Sequence, residues 1–227
     1  MEALALTQHF RPPAFPGSFF ISFEGIEASG KTTQINILKA HLEKKGHRVL
    51  VLREPGGTVF GEKLRQAILG SQKEIHPLAE CFVFAASRTQ LLNEVVLQEL
   101  GIPNTIVILD RYIDSTIAYQ GIARGLGAET VLDIHKKFPL NLVPHLTFYI
   151  RIDVATSIER QRLRNTPKDY FESLGEDFYR KLIQGYDLAA TLFPQRIMKI
   201  NGENSAETVT KEITSQVDKL FERPFVN

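Results

Sequence analysis

The segment Gly25-Ile26-Glu27-Ala28-Ser29-Gly30-Lys31-Thr32 constrains this chain more than any other. It fits the pattern G-x-x-x-x-G-K-[ST] and stands between two legible elements. Before it, Phe19-Phe20-Ile21-Ser22-Phe23 is an aromatic and β-branched run that reads as a strand. After it, Ile35, Leu38 and Leu42 recur at helical spacing between Thr32 and Lys45, and Gly46 is a natural stop. A glycine loop in that setting lets backbone N–H groups curl around phosphate oxygens, and the helix behind it presents the positive end of its dipole. Lys31 would then reach the β and γ phosphates, and the Thr32 hydroxyl would hold Mg²⁺. The bland alternative is an accidental glycine turn with an exposed lysine. Strand, motif and helix together weigh against it.

The rest of the chain repeats the strand-helix alternation. Val49-Leu50-Val51-Leu52 and Thr105-Ile106-Val107-Ile108-Leu109 are wholly apolar runs, Leu146 to Ile152 is another, and Arg196 to Ile200 is a fifth, shorter strand. Helical patterns occupy about 60–69, 77–100, a stretch reaching about Phe138, 155–164, 175–192 and 205–221. Continuous rather than alternating apolar strands, separated by helices, predict a single α/β domain: a five-stranded parallel sheet covered by helices on both faces. Residues 1–17 carry Pro12, Pro13, Pro16 and Gly17 and read as a flexible tail, leaving 18–227 for the domain. In such sheets ligands bind beyond the carboxyl ends of the strands. Asp110, ending an apolar strand, is placed where a second Mg²⁺-organising carboxylate belongs.

Composition narrows the function classes. Lys and Arg number 27 and Asp and Glu 26, a net charge of +1, which disfavours nucleic acid as a partner. The longest apolar runs fall far short of the ~20 residues of a membrane helix. The start of the chain lacks the pattern of a signal peptide. Cys81 is the single cysteine, so no internal disulfide forms, and a reducing, cytoplasmic setting is expected. A guanine-reading GTPase would carry Asn-Lys-x-Asp, and no Asn-Lys pair occurs. Instead, arginines follow the strands: Arg53, Arg88, Arg111, then Arg160, Arg162 and Arg164. Phosphoryl transfer needs positive charge around the moving group and an acceptor held in line, so cis arginines point to a kinase acting on two phosphorylated substrates.

Four segments then resemble the bacterial-type thymidylate kinase family in order and spacing. They are Gly25–Thr33, Arg53-Glu54-Pro55-Gly56-Gly57-Thr58, Phe84-Ala85-Ala86-Ser87-Arg88, and Asp110-Arg111-Tyr112-Ile113-Asp114-Ser115 through Tyr119-Gln120-Gly121. The resemblance covers about residues 19–220. It implies the P-loop nucleoside-monophosphate kinase fold, the reaction ATP + dTMP ⇌ ADP + dTDP with Mg²⁺, and a homodimer. It also implies that Gly25 to Thr33 bind ATP, that Phe84 stacks on thymine, and that Arg88 hydrogen-bonds the polar edge of the base. Arg111 and Arg53 would face the acceptor phosphate, Glu27 would lie near the 3′-hydroxyl, and Ser115, Tyr119 and Gln120 would line the sugar and base pocket. From spacing alone, with Phe82, Val83 and Ala85 around it, Phe84 reads sooner as core, and the resemblance reverses that.

A lid is expected at about 155–175. Since no basic residue stands between Gly25 and Gly30, the chain resembles the members that carry a catalytic arginine in the lid. Arg160 and Arg164, four apart, can point the same way. The family's Asp-Arg-x-Glu lid run is here Asp169-Tyr170-Phe171-Glu172. Two rival readings remain open on the residues: a sibling nucleoside or nucleoside-monophosphate kinase, and a non-catalytic ATP-binding switch.

Overall fold

In the computed structural model, which describes residues 2–164, 171 and 174–222, a single sheet organises the chain. The elements run α1 (Glu2–Thr7), β1 (Phe19–Glu24), α2 (Lys31–Lys44), β2 (Arg48–Arg53), α3 (Val59–Leu69), α4 (Pro77–Leu91), α5 (Leu97–Leu100), β3 (Thr105–Asp110), α6 (Ile113–Thr116), α7 (Ala128–Ile134), β4 (Leu146–Arg151), α8 (Val154–Arg164), α9 (Glu176–Leu192), β5 (Ile197–Asn201) and α10 (Ala206–Phe221). Two π-helical segments, Leu92–Val96 and Ile117–Ala123, join α4 to α5 and extend α6.

The five strands are parallel in the order β2-β3-β1-β4-β5. Successive residues of β1 and β3 point to opposite faces, and both faces are covered, which is why apolar residues run on without alternating with polar ones through most of each strand. Phe20, Val107 and Leu109 enter a core with Leu91, Leu92, Ile117 and Leu192. Ile21, Phe23, Ile106 and Ile108 enter another with Leu38 and Leu42 of α2 and Val209, Ile213 and Val217 of α10. The central position of β1 sets the phosphate loop between the carboxyl ends of its neighbours, at the crevice where parallel sheets take ligands.

Residues 1–17, expected as a tail, are corrected over the described part. Leu6, Phe10 and Phe15 pack on the core. Arg11 N donates to Asn141 O at 3.2 Å and Val143 N to Arg11 O at 3.1 Å. The prolines that argued for disorder occur between apolar side chains that have a surface to cover. The long helical stretch before Phe138 is likewise divided: Gly125 and Gly127, both at positive φ, break it between the π-helical segment and α7. Among the described residues no helix is long and apolar enough to cross a membrane.

Candidate functional site

The phosphate loop runs from the end of β1 into α2 as the motif requires. Gly25 has φ 139° and a Cβ there would fall 2.4 Å from Ile150 O, so only glycine fits. Gly30, at φ 102°, stands at the start of α2. Lys31 folds back over the loop, Nζ donating to Gly25 O at 3.0 Å and Ile26 O at 3.1 Å. Burial, reinforced by the nearby Arg111 charge, pushes its ammonium down to about 8. The Ile26 side chain is buried, so this residue offers the site only its backbone.

The loop floors an open cleft that also holds Arg53, Glu54, Arg65, Asp110 and Arg111. Thr32 is exposed at its rim. The Asp110 Oδ1 atom is buried without a hydrogen-bond partner among the described residues. A hydroxyl at the helix start and an orphaned carboxylate oxygen in one cleft fit a magnesium ion that takes its other ligands from phosphate and water. Among the described residues there is no cluster of three or more metal-ligating side chains. Arg53 is half-exposed and held by Glu62, its NH2 donating to Oε2 at 3.2 Å.

Arg111 joins this cleft to a second space. It has φ 72°, a strained position for a large side chain, and its backbone N–H donates to Phe23 O at 3.0 Å. Glu24, fully buried at the end of β1, pins the turn that follows by accepting from Tyr112 N at 2.7 Å and Ser115 Oγ at 2.6 Å. Burial, together with Asp114, pushes the Glu24 carboxyl up to about 8. The Arg111 guanidinium donates to Gly25 O at 3.1 Å, to Tyr186 Oη at 2.6 Å and to Glu27 Oε1 at 2.6 Å. Tyr119 Oη donates to that same Glu27 oxygen at 2.6 Å. An acid inside a phosphate loop is therefore accounted for: burial opposes its charge, but Arg111 and Lys31 hold the Glu27 carboxyl below its ordinary range.

Beyond Arg111 lies a cavity of about 620 Å³, open solvent at its mouth included. Phe84 and Arg88 reach it from one face of α4, and Ser115, Tyr119 and Gln120 from the segment after β3. Tyr119 and Gln120 sit in the π-helical segment, where Arg124 N bonds to Tyr119 O, five residues back, at 2.8 Å. This wider turn brings two consecutive side chains to one cavity wall. Phe84 is half-buried at the cavity wall, not sealed in the core. Phe171 faces it across the opening, ring centroids 6.4 Å apart. Gln120 Nε2 donates to the buried Glu80 Oε2 at 3.1 Å.

Arg88 is 2% exposed and its charge is met by groups the sequence did not single out. Glu54 Oε2 accepts from Nε at 2.8 Å and NH2 at 2.5 Å, Thr116 Oγ1 accepts from NH2 at 3.1 Å, and His135 Nε2 accepts from NH1 at 2.8 Å. Burial and the Arg88 charge push His135 down to about 3, so it is neutral. Glu24, His135 and Tyr186 carried no motif signal, whereas Glu54 and Thr116 stand inside the quoted Arg53–Thr58 and Asp110–Gly121 segments without having been given a role.

The lid calls divide. Arg160, on α8, does not enter the cavity or the cleft. Its guanidinium donates to Ala28 O at 3.4 Å and Gly202 O at 3.1 Å, beside a third hollow lined by Ser29, Gly30, Thr33 and Asn204. The side chain of Arg164 and residues 165–170, 172 and 173 lie outside the described residues.

A family model described as thymidylate kinase matches residues 23–213. The chain is 40% identical over 202 residues to a thymidylate kinase of Caldanaerobacter subterraneus subsp. tengcongensis, covering 89% of this chain and 96% of that protein. It is 41% identical over 200 residues to one from Thermosipho africanus, covering 88% and 98%. The fold matches the crystal structure of a thymidylate kinase from Ehrlichia chaffeensis with a TM-score of 0.70 and 30% identity, covering 89% of this chain and 99% of that one.

Proposed function

This chain belongs to the thymidylate kinase family, and from that premise we propose how its residues move the γ-phosphoryl group of ATP onto dTMP to give ADP and dTDP. One observation carries the reading. The phosphate-loop cleft and the cavity share a wall made of Glu27, Glu54, Arg65 and Arg111. A nucleoside monophosphate seated in the cavity would turn its phosphate toward the loop that holds the donor.

ATP lies with its polyphosphate in the loop Gly25 to Thr33, where Lys31 and the free N–H groups of α2 meet its charge. Thymine occupies the cavity against Phe84, with Arg88 and Gln120 on its polar edge and Tyr119 and Ser115 beside the sugar. Arg111 clamps the acceptor phosphate, opposed by Arg53 across the cleft. Glu27 holds Arg111 in place and is the acid nearest the incoming phosphate. Two like-charged phosphates are brought together because Lys31, Arg111 and the lid arginine Arg164 offset their repulsion and the charge of the transition state. Thr32 and Asp110 would hold Mg²⁺, which would supply positive charge to offset that of the transferring phosphate. Arg160, held to the loop backbone, supports the donor side, and Arg164 is assigned the closing role.

The reading extends to the assembly. Helices α3 and α4 leave Val59, Phe60 and Phe82 exposed, an apolar surface suited to a homodimer in the cytoplasm, and light scattering at micromolar protein checks it. The function itself is tested by a coupled assay with ATP and each of dTMP, dUMP, CMP, UMP, GMP and AMP. Preferential turnover of dTMP is expected. A different preferred acceptor would favour a sibling kinase, and turnover of none a nucleotide-binding switch.

A further inference from the structure

The buried network behind Arg88 has a countable consequence. A guanidinium carries five N–H bonds and no acceptor. Nε–H and one NH2 hydrogen go to Glu54, the second NH2 hydrogen goes to Thr116, and one NH1 hydrogen goes to His135. A single N–H, on NH1, is left among the described residues, and Arg88 lines the cavity. The His135 contact has only one possible polarity. Its Nδ1 lies 2.7 Å from Val131 O, and a carbonyl only accepts, so Nδ1 carries the proton. Nε2 is then a lone pair facing NH1. His135 is completely buried, so no water competes for that lone pair.

We propose that His135 is a specificity-determining positioning residue: with Glu54 and Thr116 it locks Arg88 so that the guanidinium offers the cavity one fixed N–H, which accepts a base bearing a carbonyl at that point and rejects one bearing an amine. This deepens the reading that the cavity holds a thymine base and rests on it. A carbonyl oxygen meets the fixed donor and is satisfied. An exocyclic amine sets N–H against N–H, and a guanidinium held on three sides cannot turn away to relieve the clash. A buried donor left unmatched is costly, so the discrimination is built from the network rather than from Arg88 alone. His135 itself lines neither the cavity nor the phosphate cleft, so its influence on the base passes through Arg88.

The test compares His135→Leu, which removes the acceptor, with His135→Gln, whose amide oxygen reaches a similar distance and restores it. Steady-state kinetics with dTMP and with dCMP are read beside the thermal midpoint and the ATP KM. Wild-type turnover of dTMP is established first, so that failure of the base assignment shows there and not in the variants. In the leucine variant the dTMP KM rises and the dTMP-to-dCMP ratio of kcat/KM falls, each on the order of tenfold, while kcat for dTMP and the ATP KM stay within about threefold. The glutamine variant regains the ratio. A folded leucine variant with an unchanged ratio overturns the proposal, as does a ratio lost equally in the glutamine variant. Should the leucine variant not fold, Thr116→Val frees the neighbouring N–H, and an unchanged ratio there overturns the proposal equally.

Discussion

The phosphate-loop cleft and the base cavity share a wall but are built by different means. The floor of the cleft is made from consecutive residues and uses backbone: carbonyls and N–H groups of one turn, with Lys31 folded over Gly25 and Ile26. The cavity is made from side chains of the loop after β2, of α3 and α4, and of α6 and the π-helical segment that extends it. Each polar side chain that faces it is held from behind, Arg88 by Glu54 and His135, Gln120 by Glu80. The first arrangement positions charge at the floor of an open cleft. The second fixes donors in a dry wall. Changes in the cleft should therefore act on rate, and changes in the cavity on recognition and stability.

Lys31→Met tests the cleft most severely. It should lower kcat on the order of 10³-fold through lost transition-state charge contacts, with the thermal midpoint preserved, because the lysine is already disfavoured by burial. Single-turnover phosphoryl transfer and calorimetry separate the two effects, and a lost midpoint would blur the contrast with the cavity. Arg88→Ala is its counterpart. The Arg88–Glu54 pair is 3% and 5% exposed, and removing one partner strands a buried carboxylate. A loss of about 3–5 kcal/mol in denaturant unfolding is expected, together with a raised dTMP KM. Unchanged stability in this variant would mean that the cavity wall does not depend on the buried pair.

Arg164→Ala should reduce kcat on the order of 10²-fold; a change confined to KM would assign the arginine to binding. Lys31 also gives the cleft a pH signature that the cavity lacks. Its ammonium is pushed down to about 8 in the nucleotide-free protein. Below that pH it is charged and ready for phosphate. Above it, binding must draw in a proton, so ATP affinity should fall by up to about tenfold per pH unit between 8 and 10. Calorimetry in buffers of different ionisation enthalpy measures the proton uptake. His135, held neutral, should give dTMP binding no corresponding step above pH 5. The smallest effect is expected at Tyr119, whose ring sits between Glu27 and Phe171. Tyr119→Ala should narrow the preference for the deoxy over the ribo acceptor by about threefold to tenfold, read from the ratio of kcat/KM values, and an unchanged ratio would free the ring of any part in rejecting a 2′-hydroxyl.

Most of the cleft was legible because its information is local. Strand, glycine loop and helix are adjacent in the chain, and the spacing of Gly25, Gly30, Lys31 and Thr32 is itself the geometry. The same holds for Asp110, fixed at the cleft by being the last residue of an apolar strand. The parallel sheet followed from continuous apolar runs, although their order β2-β3-β1-β4-β5 did not. The docking of Leu6, Phe10 and Phe15 was hidden by the prolines between them, since composition records a preference for disorder but not the presence of a surface to cover.

The sequence by itself determined a phosphate site on an α/β sheet, and by resemblance the family of the acceptor. Only the tertiary structure decided what holds that acceptor site in shape. Arg88 meets Glu54 across 34 residues and His135 across 47, and Glu24 meets Ser115 across 91. No periodicity or motif encodes such pairs. They exist because burial strips the polar groups of water and each must find whichever partner the folded chain brings within hydrogen-bond reach.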